Sequence, residues 1–68
     1  MIEPQIERYF QLRLAWKLEV EVETKLELRR QVDELAEEIC QQKNLSLSAR
    51  DFFEVTRSAF IQWARRSR

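Results

Sequence analysis

The chain has 68 residues, no histidine, no glycine and one cysteine, and its 12 basic and 12 acidic residues give a formal net charge of zero. The single thiol excludes an internal disulfide, and without histidine the usual Cys/His ligand set of a zinc site cannot be built. A domain of this size buries only ~60% of the surface of its unfolded chain, so it is marginally stable alone. We therefore expect one small domain, residues 1–68, that gains stability by associating with another chain.

Catalysis has few suitable side chains in this sequence. No histidine is present to act as a general base near neutral pH, and no glycine is present to shape a phosphate-binding loop. Cys40 follows the acidic pair Glu37–Glu38, which would raise the pKa of its thiol, and we interpret it as a packing residue. We predict that the protein is not an enzyme and holds no cofactor or metal.

The first ten residues, MIEPQIERYF, do not read as a secretory signal, because they lack a basic stretch followed by an apolar run. No segment approaches the ~18 consecutive apolar residues that a membrane span requires. The sequence is therefore interpreted as that of a cytoplasmic protein without a membrane span.

The segment from Phe10 to Leu28 carries two conflicting signals. Apolar residues alternate with polar ones from Phe10 to Val22, which is the period of a strand. The residue types, however, are strong helix formers, and no turn residue is present to fold the segment into a hairpin. Pro4 suits the first turn of a helix. We favour one long helix over about residues 4–43, and a strand within residues 10–22 remains the alternative.

Residues 28–40 have a clearer helical pattern. Val32, Leu35 and Ile39 share one face, and the charged residues lie on the other. Oppositely charged residues four apart, Arg29–Asp33 and Arg30–Glu34, are spaced to form ion pairs on a helix.

The only clear internal break lies at residues 43–48. Asn44 is the best left-handed C-terminal residue that a chain without glycine offers, and Ser48 is a good N-cap. A shorter helix is expected over about residues 48–65, with Phe52, Phe60 and Trp63 on one face. The predicted fold is thus all-α: a helical hairpin that associates, in the manner of a coiled coil, with a second copy or with a larger partner.

Two sets of residues are candidates for contacts with other molecules. A predicted partner interface consists of mostly aromatic residues: Tyr9, Phe10, Leu14, Trp16, Phe53, Phe60 and Trp63. The charged residues from Arg57 onward are all basic, whereas acids dominate residues 19–38. We consider Arg65, Arg66 and Arg68 as anion contacts, although arginines also suit the C-terminal end of a helix. An acidic middle and a basic end favour antiparallel packing of segments or of two copies.

If the strand alternative holds, the order strand, helix, turn, helix resembles the ribbon–helix–helix DNA-binding repressors. Phe10–Leu14 has the alternating pattern of their DNA-reading strand, and the resemblance implies that Gln11 and Arg13 face the groove of DNA. Glu19, Glu21 and Glu23 would face outward from a longer strand and repel DNA, so nucleic acid is the disfavoured partner. The favoured function is that of a non-catalytic interaction module, such as an adaptor, small subunit or regulator, and a dimeric DNA-binding regulator is the alternative.

Overall fold

The computed structural model describes residues 3–66, and this part of the chain contains helices and no strand. The helices are α1 (Pro4–Leu18), α2 (Val22–Gln42), α3 (Ala49–Val55) and α4 (Arg57–Arg66). The prediction of an all-helical protein is confirmed for these residues, and the strand within residues 10–22 is wrong. Within residues 3–66, no helix is both long enough and apolar enough to cross a membrane.

The predicted single helix over residues 4–43 is also wrong, because the chain is extended at Glu19 and Glu21. The carboxylate of Glu19 accepts hydrogen bonds from the backbone N–H groups of Val20 and Glu21, both at 3.0 Å. One side-chain oxygen thus satisfies two donors that would be unpaired at a helix boundary. This bonding allows the chain to turn without glycine or proline.

The turn has a large energetic benefit because it folds α1 back along α2. Tyr9 and Phe10 on α1 become fully buried, together with Val32, Ala36 and Ile39 on α2. At the opposite end of the helix pair, Lys43 Nζ lies 2.7 Å from Glu3 Oε2. In one continuous helix these aromatic side chains would remain in water, and each would lose about 1.5–3 kcal/mol of favourable burial free energy.

The predicted break after residue 43 is confirmed. Asn44 has a positive φ of 55°, and the N–H of Leu45 donates to the carbonyl of Cys40 at 2.8 Å. Together with the bond from Asn44 to Gln41, this is a Schellman ending. Ser48 caps α3, because its Oγ accepts from the N–H of Asp51 at 3.1 Å.

The second predicted helix, over residues 48–65, is divided into α3 and α4 at Thr56. In a continuous helix the carbonyl of Phe53 would accept a bond from the N–H of Arg57. Here that carbonyl accepts a bond from Arg13 Nη1 at 3.0 Å. A side chain from α1 therefore enters the hydrogen-bond ladder, which is a known cause of helix kinks.

The core is rich in aromatic side chains that come from three of the four helices. Tyr9 packs edge-on against Phe52, with ring centroids 5.0 Å apart. Phe10 packs against Phe60 and Trp63 at 5.8 and 5.7 Å. The buried apolar residues are Tyr9, Phe10, Val32, Leu35, Ala36, Ile39, Cys40, Phe52 and Phe60.

The two ion pairs predicted on α2 are confirmed. Arg29 Nε lies 3.4 Å from Asp33 Oδ1, and Arg30 Nη1 lies 2.7 Å from Glu34 Oε1. Arg30 also bonds Glu27, with Nε 2.9 Å from Oε2. These pairs are exposed or half-exposed, so solvent screens them and each makes only a minor contribution to the stability of the helix.

Replacement of Phe60 tests this core. Phe60→Ala is expected to lower the free energy of unfolding by about 3–5 kcal/mol, because the ring is buried between α1 and α4. The matched control is Val55→Ala on α3, since Val55 is exposed and its loss should change stability by less than about 0.5 kcal/mol. Urea denaturation followed by circular dichroism measures both. Equal stability of the two variants would contradict the assigned core.

Candidate functional site

Arg13 is the one charged residue that is buried among residues 3–66, with 3% of its surface exposed. Its Nη1 donates to the carbonyl of Phe53 at 3.0 Å and to Thr56 Oγ1 at 3.1 Å. Its Cζ lies 3.5 Å from the ring centroid of Phe53 and 4.7 Å from that of Phe60. Burial lowers the pKa of Arg13, yet arginine remains protonated at neutral pH. The side chain is therefore a buried cation held by aromatic faces and neutral acceptors.

A second layer of cations covers the aromatic pair Trp16 and Phe53. The two rings meet edge-on with centroids 5.8 Å apart. Arg29 Cζ lies 4.3 Å from the centroid of Phe53 and 4.9 Å from that of Trp16. Lys25 Nζ lies 5.0 Å from the centroid of Trp16. Contacts of this kind contribute about 0.5–2 kcal/mol each. Arg13 on α1 and Lys25 and Arg29 on α2 therefore stabilise the fold through these rings.

Tyr9 carries the only buried side-chain polar atom among residues 3–66 that has no hydrogen-bond partner. Burial raises the pKa of this phenol, and the charge of Arg13 and the proximity of Thr56 partly oppose the rise. Neither side chain reaches the hydroxyl with hydrogen-bond geometry. An unpaired buried hydroxyl costs about 1–3 kcal/mol. The residue is enclosed, with 0% of its surface exposed, so its chemistry is not accessible to a ligand.

Cys40 is a free, buried thiol whose pKa is raised by burial. The sequence pointed to Glu37 and Glu38 as the cause of such a rise, but the physical cause is desolvation. A thiol with a raised pKa is a poor nucleophile at neutral pH. Within residues 3–66, no group of three His, Cys, Asp or Glu side chains is placed to hold a metal ion.

The predicted interface residues divide into two groups. Tyr9, Phe10 and Phe60 are buried in the core of the chain itself, so a partner cannot reach them unless the fold opens. The other four are half-buried at its edge and remain candidates: Leu14, Trp16, Phe53 and Trp63. Arg65 and Arg66 are exposed in the last turn of α4, and Arg68 lies outside the described residues.

The most exposed apolar side chains lie elsewhere, where α1 meets α2. We name this surface the corner and define it as residues 18–26. Its apolar residues are exposed by 69% at Leu18, 92% at Val20, 72% at Val22 and 66% at Leu26. Glu21 and Glu23 are exposed between them. Leu18, Val20 and Val22 end the alternating run from Phe10 to Val22, and Leu26 lies four residues further on; none of the four is among the predicted interface residues.

A groove of about 220 Å³ lies beside the corner, between α1 and α4. Leu14 and Leu18 line it from α1, and Ile61 and Ala64 line it from α4. The cationic residues Lys17 and Arg65 also line this groove. A second depression of about 320 Å³ adjoins it, because Lys17, Phe60 and Ile61 line both. Arg57 lines this second depression. The groove is thus apolar with basic residues at its rim.

The titration of Tyr9 tests the burial of this side chain. Because Tyr9 is the only tyrosine in the sequence, the absorbance of tyrosinate reports on this residue alone. We expect the folded chain to titrate above the ordinary pKa of 10.0 and the urea-unfolded chain to titrate near ~10. A raised pKa in the folded state stabilises the fold below pH ~10, and this stability is lost as pH rises through the raised value. Tyr9→Phe should remove that alkaline loss and leave neutral stability equal or up to about 1 kcal/mol higher. Titration of folded Tyr9 at an ordinary pKa would contradict this account.

No protein-family model matches the chain, and neither a curated protein nor a solved structure matches it. Among residues 3–66, the corner carries the most exposed apolar side chains and is acidic, and the groove beside it is apolar and basic.

Proposed function

We propose that this chain is a non-catalytic helical interaction module that docks onto another protein chain through its corner. The observation that supports this is the exposure of Leu18, Val20, Val22 and Leu26 within nine consecutive positions. Single exposed apolar residues are ordinary, but a cluster of them is typical of interaction surfaces. Val22 and Leu26 are four residues apart on α2, so they lie on the same face of that helix.

The chemistry of the partner follows from the acids at the corner. Glu21 and Glu23 are exposed, and Glu19 is half-exposed, so Leu18, Val20 and Val22 each have a carboxylate next to them in the sequence. A complementary surface offers an apolar centre and cations at its edge. Burial of the four apolar side chains is the main favourable contribution to docking, at about 25 cal/mol per Å² before the entropic costs of association, and the charges select the partner.

A role as a DNA-binding regulator has less support. The strand expected to read DNA is absent from residues 3–66. Arg13, which the ribbon–helix–helix resemblance placed in the groove of DNA, is 3% exposed and bonded to Phe53 and Thr56. The exposed acids at the corner would repel phosphates. These observations favour the interaction module over the DNA-binding regulator.

A photo-crosslinking amino acid in place of Val20 tests the proposed function. We expect a discrete adduct, mapped by mass spectrometry to an apolar segment with lysine or arginine nearby. The adduct should disappear when Leu26→Asp is added, since a charge in the exposed apolar cluster disrupts docking. The same crosslinker in place of Val55, an exposed apolar residue on α3, is the matched control and should give no such adduct. Equal labelling from both positions, or none from Val20, would contradict the proposal.

A further inference from the structure

The groove between α1 and α4 has the chemistry that the corner requires of a partner. Its walls are apolar, formed by Leu14, Leu18, Ile61 and Ala64. Its volume of about 220 Å³ exceeds the roughly 150 Å³ of an engineered protein cavity that binds benzene. Aliphatic side chains of the size of valine or leucine therefore fit into it.

The charge of the groove is opposite to that of the corner. Lys17 and Arg65 line the groove, and Arg57 lines the depression that adjoins it; all three are exposed. One acid, Glu54, lies in the adjoining depression. None of these three cations forms an ion pair within residues 3–66. The corner carries three acids, Glu19, Glu21 and Glu23, against one cation, Lys25, so it is net acidic.

We infer that the groove receives the corner of a second copy of this chain. This inference rests on the proposed function and names the partner. Leu18 belongs to both surfaces, so the corner and the groove adjoin one another on each chain. Two chains related by a twofold axis then place each corner in the groove of the other, and the interface closes as a dimer.

In this dimer the apolar and charged contacts have separate roles. Val20 and Val22 of one chain enter the apolar groove of its partner, while the carboxylates of Glu21 and Glu23 face the basic rim. Exposed ion pairs contribute little affinity by themselves, but like charges placed opposite each other are costly. Reversal of the charges on one surface therefore separates the two chains.

Sedimentation equilibrium of the purified full chain, from low micromolar to millimolar concentration, tests the inference. Wild-type chain should dimerise. A groove variant, Lys17→Glu with Arg65→Glu, and a corner variant, Glu21→Lys with Glu23→Lys, should each weaken self-association by about tenfold or more, a factor that corresponds to 1.4 kcal/mol. An equimolar mixture of the two variants should recover dimers, because each acidic surface then meets a basic one at both contacts.

Helical circular dichroism and thermal melting establish that each variant is folded. If a doubly substituted chain does not fold, the single variants Arg65→Glu and Glu23→Lys provide the same comparison. A wild-type chain that stays monomeric, variants that still dimerise, or a mixture that does not associate would overturn the inference. A monomeric wild type that still gives the Val20 adduct with a different protein would overturn self-docking and leave the proposed function in place.

Discussion

The placement of α3 and α4 in this fold depends on one buried cation. Arg13 extends from α1 into the segment where α3 meets α4, and its guanidinium bonds the backbone of Phe53 and the hydroxyl of Thr56. Because a buried charge without partners is costly, the surrounding groups are fixed in place. The hydroxyl of Thr56 in turn donates a hydrogen bond to the carbonyl of Phe52 at 2.6 Å. One side chain from α1 thus sets the position of the C-terminal helices.

The helical break at Thr56, where Arg13 bonds, separates α4 from α3. Phe60 of α4 packs on Phe10 of α1, and the groove lies between these two helices. The turn at Glu19 sets the other surface, since it exposes the apolar residues at 18–26 next to that groove. The fold therefore generates two adjoining surfaces of opposite charge, and the proposed self-docking follows from their proximity.

Local chemistry made part of this fold predictable from sequence. Asn44, Ser48 and the ion pairs on α2 act over three to six residues, and each was assigned correctly. The turn at Glu19 was missed because a carboxylate there takes the role usually given to glycine or proline. The division at Thr56 was missed because its cause, Arg13, lies 43 residues away in sequence, and arginine is rarely buried. The corner was missed because its apolar residues continue an alternation that also fits a core segment.

A double-mutant cycle between Arg13 and Thr56 tests the central claim most directly. Arg13→Met retains much of the apolar stem, and Thr56→Val removes the acceptor with little change of shape. Unfolding free energies of the wild type, both single variants and the double variant give the coupling. A hydrogen bond to a buried charged group predicts a coupling of about 1–3 kcal/mol. Additive effects, with a coupling near zero, would contradict the claim that Arg13 holds the C-terminal helices in place.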